Sequence, residues 1–187
     1  MQRLLLLAGA LLILTACRNP LDRAPGGPQG GRTPELAARD WVRATQGLKP
    51  DDIDVLAIQP VGQSVLVAYD YTHNGTIEHA LSVTTLKGPE DWRVETTIQT
   101  THSQDVGTLL RFHEGGLQSA SANVFAIWGR PLSDQVGRVR VVVNGVELEG
   151  PVLAKGFIIP VPGPVAQLQQ VQAVSPAGEV LSTWQAQ

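Results

Sequence analysis

Four histidines, one cysteine and a scatter of carboxylates are the side chains of this 187-residue chain that could carry chemistry. His73 and His79 flank Asn74-Gly75, the dipeptide most favoured in a two-residue type I′ hairpin turn. With those two residues as the turn, opposed positions sum to 149, so Asp70 faces His79 and His73 falls on the other side of the sheet. The two imidazoles then cannot share a metal. His102 and Asp105 are three residues apart without a third ligand, and His113 stands alone, so no metal site is expected. Asp70 opposite His79 is a different matter. A carboxylate that orients an imidazole is what a general-base pair requires, and if the even-numbered face of its strand lines the mouth between helix and sheet, the pair would be a polar spot in an apolar pocket. The plainer reading, and the one preferred, is a cross-strand ion pair contributing roughly a few tenths of a kcal/mol.

Other chemistries find less support. No G-x-S-x-G elbow, S-x-x-K motif or phosphate-cradling glycine loop occurs. The one glycine-rich candidate, His113-Glu114-Gly115-Gly116, leads into Leu117-Gln118 and a strand rather than a helix N-terminus. Asp51-Asp52 and Glu90-Asp91 are adjacent acids in turns, where solvated charge is the ordinary role. The expectation is a protein without cofactor and without catalysis.

The elements that would position these residues are legible from period and punctuation. Thr33-Pro34-Glu35 has the marks of a helix start: a hydroxyl N-cap, proline at the first helical position and an acid in the first turn. Ala37, Ala38, Trp41, Ala44 and Leu48 follow at helical spacing, and Gly47 marks the end. The period then changes to two. Ile53-Asp54-Val55-Leu56-Ala57-Ile58 reads as a strand, the Asn74-Gly75 hairpin follows, and a further strand begins at Asp91-Trp92. Within the hairpin Leu66 faces Val83 and Ala68 faces Leu81, while Val65, Val67, Tyr69 and Tyr71 line the other side. Both faces are partly apolar, so these strands are expected to be central.

Residues 102–118 read as a connector with one strand at Thr108–Phe112. From Ser119 onward six short runs separated by turn residues mark an all-β sandwich. A second Asn-Gly, at 144 and 145, sets a register in which Val141 faces Leu148 and Arg140 faces Glu149.

The single cysteine belongs to the opening of the chain. After Met1-Gln2-Arg3, an apolar run of 11 residues from Leu4 to Leu14 leads to Thr15-Ala16-Cys17. One positive charge, a short apolar run and small residues before a break describe a secretory signal peptide. A membrane span would need ~20 apolar residues. Leu14-Thr15-Ala16-Cys17 resembles the lipobox of bacterial lipoproteins. The resemblance covers the first 17 residues and implies cleavage before Cys17, a diacylglyceryl group on its thiol and acylation of the new amine. It further implies a cell-envelope address, with Arg18 rather than Asp after the cysteine favouring the outer membrane in a Gram-negative organism. Residues 17–32, with Arg18-Asn19-Pro20-Leu21-Asp22-Arg23-Ala24-Pro25-Gly26-Gly27-Pro28 at their head, carry too little apolar surface to order themselves, and read as a tether.

The net charge of the whole chain is −3, with no basic block, which argues against nucleic acid as a partner. Aromatics are 5% of the chain and no second cysteine exists, so aliphatic burial has to hold the fold. Five segments result: a signal peptide (1–16), a lipidated tether (17–32), a helix-plus-sheet domain (33–101), a connector (102–118) and a β-sandwich module (119–187). The fold class is α+β, one helix on a curled antiparallel sheet followed by an all-β sandwich. Residues 33–101 resemble the cystatin-like or ketosteroid-isomerase-like architecture, which implies a cone that in some members holds a small ligand between helix and sheet. Residues 119–187 resemble Ig-like or transthyretin-like bacterial modules, on Val139, Val141, Gly145, Gly156, Phe157 and Gly178, with Ser175-Pro176 where those modules carry an Asp. That likeness implies an adhesive or spacing unit. The function expected from all of this is a lipid-anchored envelope protein with a protein partner or a structural role. The alternative is a carrier or sensor holding a small apolar ligand in the cone.

Overall fold

The computed structural model describes residues 30–49, 52–153 and 155–186. The signal peptide, Cys17 and the tether as far as residue 29 lie outside the described residues. Helix α1 (Pro34–Gln46) starts and stops where its sequence says. Thr33 Oγ1 accepts the Leu36 amide at 3.2 Å, and Gly47 takes the left-handed conformation, φ 70°, as its C-cap. Ala37, Ala38 and Val42 form its buried stripe, with Trp41 and Leu48 only partly covered.

Among the described residues thirteen strands accompany this helix: β1 (Gly30–Gly31), β2 (Ile53–Val61), β3 (Ser64–His73), β4 (Thr76–Leu86), β5 (Trp92–Thr100), β6 (Gln104–Val106), β7 (Leu110–Gln118), β8 (Asn123–Pro131), β9 (Arg138–Val143), β10 (Val146–Pro151), β11 (Phe157–Pro162), β12 (Leu168–Val174) and β13 (Val180–Gln185). They make three antiparallel sheets. The first runs β1-β5-β4-β3-β2, the second β11-β8-β7-β6, the third β10-β9-β12-β13. The molecule is therefore α+β as expected, with β3 and β4 central in the first sheet. Both Asn-Gly turns have the positive φ at both residues that type I′ needs, 51° and 79° at Asn74-Gly75, 52° and 75° at Asn144-Gly145. The observed registers match the sums set by those turns: Leu66 opposite Val83, Asp70 opposite His79, Val141 opposite Leu148, Arg140 opposite Glu149.

Three apolar layers separate four tiers. Between helix and first sheet lie Ala38, Val42, Ile53, Val67, Tyr69 and Ala80. Between first and second sheets lie Leu56, Leu66, Leu81, Val83, Leu117 and Trp128. Between second and third lie Phe112, Ile127, Phe157, Val139, Val141 and Val171. A bulge between Val55 and Ala57 turns both Leu56 and Ala57 inward on the edge strand β2.

Two boundaries drawn from sequence need correction. Residues 102–118, read as a connector, hold β6 and β7, and β7 pairs with β8 along its whole length. The four residues that join those strands, Ser119 to Ala122, contain no Gly, Pro or Asn to announce a hairpin. The end of the segment read as tether is also structured. Gly30 and Gly31 pair with Arg93 and Trp92 of β5, at a place only glycine fits: a Cβ on Gly31 would lie 2.4 Å from the Ala37 backbone nitrogen.

Close approach decides a second position. A Cβ on Gly116 of β7 would lie 1.8 Å from the carbonyl oxygen of Pro164, which is backbone and cannot swing aside. Gly116→Ala should lower stability by about 1–3 kcal/mol, read as a fall in urea midpoint. At the same end of the molecule Glu95, in the bulge of β5, accepts hydrogen bonds from Lys87, Ser121 and Thr85. Burial alone would raise its carboxyl, but those donors outweigh it and hold the pKa at about 2. An acid whose folded pKa is depressed stabilises fully above its unfolded value and loses that contribution as pH falls through the folded one. Glu95→Gln should therefore flatten the decline of stability between about pH 4.5 and 2, measured by denaturant unfolding at a series of pH values.

Candidate functional site

Asp70 and His79 are brought together as the hairpin register requires, and His79 Nδ1–H donates to Asp70 Oδ1 at 2.8 Å. Their face is the correction. Helix α1 covers the side of β3 that bears Val67, Tyr69 and Tyr71, so the Asp70–His79 side turns to the second sheet and not to the mouth between helix and sheet. Both residues are buried, at 6% and 7% exposure. His73 lies at the turn on the far face, next to Asn74, as expected.

Around the pair the second sheet supplies what sequence reasoning did not find. Arg130, near the end of β8, donates from Nη2 to Asp70 Oδ2 at 2.5 Å and to Asp54 Oδ2 of β2 at 3.4 Å. Lys155 Nζ donates to the other oxygen of Asp54 at 2.6 Å. His113 of β7 lays its ring on that of His79, centroids 4.1 Å apart and planes 24° from parallel. Its Nδ1–H donates to the His102 carbonyl at 2.8 Å, and the Trp128 ring packs against it, tilted, with centroids 5.6 Å apart. Arg111, two residues earlier on β7, forks onto Asp105 of β6, which keeps the Asp105 carboxyl below its usual range. Burial pushes the His113 imidazole down to about 4, so it is neutral at pH 7.

Asp54, Asp70, His79, Arg111 and Arg130 line a cleft of about 280 Å³, together with Asp52, Tyr71, Thr72, Ile77 and Leu132. Ile77 and Leu132 are 54% and 43% exposed, so apolar side chains border the ionic groups. The arrangement has two chemical capacities. Asp70 fixes the Nδ1–H tautomer of His79 and leaves Nε2 as a lone-pair site, the geometry of an oriented base. The same Asp70 is shared with Arg130, and His79 is roofed by His113, so the bonds run between the first and second sheets. Among the described residues no hydroxyl or thiol is hydrogen-bonded to His79, and no group of three His, Cys, Asp or Glu side chains could hold a metal ion. No described helix is long and apolar enough to cross a membrane. Comparison with protein-family models, curated proteins and solved structures finds no match.

Asp70 is the buried member of this network and Arg130 its main counter-charge. Arg130→Met leaves the buried Asp70 carboxylate without its arginine, holding the His79 hydrogen bond. A fully buried pair broken in this way costs about 3–5 kcal/mol, but Arg130 keeps 34% of its side chain in water, so a loss of about 2 kcal/mol is expected. Lys155→Ala, removing a cation that is 66% exposed, should change stability by less than about 0.5 kcal/mol. Chemical denaturation of the two variants side by side measures the contrast.

Proposed function

We propose that the protein is a lipid-anchored component of the bacterial cell envelope whose folded body acts without catalysis, in a protein-interaction or structural role. The support for the address is the Leu14-Thr15-Ala16-Cys17 sequence, which stands at the end of an 11-residue apolar run and holds the chain's one thiol. Two or three acyl chains on Cys17 would make the attachment durable, each buried CH₂ contributing about 0.8 kcal/mol.

The single observation behind the non-catalytic reading is the use made of Asp70 and His79. The pair with the best chemical geometry in the chain is 6% and 7% exposed and is spent on Arg130 and His113, side chains of the neighbouring sheet. Such a network holds layers together. A stack of one helix and three sheets, with a continuous apolar layer at each junction, suits a rigid body that presents surfaces to a partner.

Fractionation of cells expressing the full chain tests the anchor. The wild-type protein should sediment with membranes and show a mature N-terminus at residue 17 heavier than its peptide by the mass of the acyl groups. Cys17→Ser should pass into the aqueous fraction with the signal peptide uncleaved or cut elsewhere. A wild-type protein recovered in the aqueous fraction with an unmodified thiol contradicts the reading. Crosslinking in intact cells tests the role: a stoichiometric protein partner supports it, and a co-purifying small apolar molecule in native mass spectrometry favours the carrier alternative.

A further inference from the structure

His79 and His113 meet ring to ring at the boundary between the first and second sheets, one on β4 and the other on β7. Both are buried, at 7% and 3% exposure. In each ring Nδ1–H is already committed, to Asp70 Oδ1 and to the His102 carbonyl, so an added proton enters at Nε2. We infer that this stacked pair is an acid-operated catch: when both rings are protonated, β4 and β7 part at this end of the molecule while the rest of the stack stays packed.

The charges around the pair decide how many protons it tolerates. From β3, Asp70 faces His79 and is shared with Arg130 of β8. From β2, Asp54 faces Arg130 and is shared with Lys155. On β7 itself Arg111 adds positive charge and is held by Asp105 of β6, while Glu114 accepts from Gln104 on β6. Asp70 can therefore compensate one proton, on His79. A second, on His113, finds no carboxylate bonded to it among the described residues, and lies 4.1 Å from the first. Two cations at that distance repel strongly once burial has removed the water that would screen them.

Energetics and position agree with this. Burial, opposed by the hydrogen bond to His102 and helped by His79, keeps the folded His113 at about 4, below its ordinary 6.5. Above 6.5 neither closed nor open form takes the proton. Between 6.5 and 4 the open form takes it and the closed form does not, so acidification across that window favours opening. The rest of the junction is aliphatic and aromatic, with Leu66, Leu81, Val83, Leu117 and Trp128 carrying no titrating carboxylate or imidazole. At the opposite end Glu95 stays ionised to about 2 and keeps its ties to Lys87 and Ser121. Opening is thus confined to the end where the pair sits.

Amide hydrogen exchange on the full chain, corrected for the intrinsic pH dependence, tests the catch. Between pH 7 and pH 4.5, exchange in Ile77–Ala80 and Arg111–Glu114 should rise about tenfold or more, with Val139–Val143 of the third sheet unchanged. In His113→Phe the rise should vanish. If His113→Phe does not fold, His79→Gln is the second arm: with its neighbour's charge removed, the NMR-detected midpoint of His113 should move upward. Exchange at β4 and β7 that is indifferent to pH, that rises equally in all three sheets, or that persists in His113→Phe overturns the inference. So does a His113 midpoint unmoved by His79→Gln.

Discussion

The second sheet has no face turned to water, and that constraint governs the rest of the molecule. Phe125 and Ile127 of β8 pack toward the third sheet, while Val124, Ala126 and Trp128 of the same strand pack toward the first. β11 repeats the division, with Phe157, Ile159 and Val161 on one side and Ile158 on the other. A strand buried on both faces has to be apolar at every position rather than at alternate ones. A chain that is 5% aromatic, with a single cysteine, meets the demand with Val, Ile, Ala and a few large rings set where two sheets converge. The first sheet and its helix, and the third sheet, each bring one apolar face to this shared slab. Each half also has a layer of its own, and the layer between the first and second sheets is the one drawn from both.

A slab of that kind is open to water at its ends, where polar strand termini must still be satisfied. The structure closes the two ends of the first junction differently. At one, Ser64, Ser121, Glu95, Lys87 and Thr85 form a chain of hydrogen bonds from sheet to sheet. At the other, Asp54, Asp70, His79, His113 and Arg130 do the same with ions and imidazoles. The first chain rests on an acid that titrates far below neutrality. The second includes two stacked imidazoles, one of which burial holds neutral at pH 7. The asymmetry makes one end permanent and the other responsive, a property of the placement of histidine rather than of the fold.

Much of this was readable from the residues. The two Asn-Gly pairs fixed the registers of both hairpins, hence Asp70 opposite His79 and Arg140 opposite Glu149, because only such residues accept positive φ at both turn positions. Thr33, Pro34 and Gly47 bounded the helix for equally local reasons. What stayed hidden was everything that depends on how the sheets stack. Which face of β3 meets the helix could not be chosen, since both faces are apolar. β7 passed for a connector because Ser119 to Ala122 lack the punctuation of a turn. The register of that hairpin sets His113 opposite Trp128, but its packing on the Asp70–His79 face depends on how the sheets stack. Arg130 is further off still: its partner on β3 lies 60 residues earlier, and no local pattern links them.

Asp70 and Arg130 tie the first sheet to the second. A double-mutant cycle on Asp70→Asn and Arg130→Met, measured by denaturant unfolding at pH 7, puts a number on that tie. A coupling free energy of about 1–3 kcal/mol is the result expected of groups that hold one another in a buried junction. A coupling below about 0.3 kcal/mol, with each single variant as stable as the parent, would mean that the sheets stay together without it and that these side chains are kept for something else.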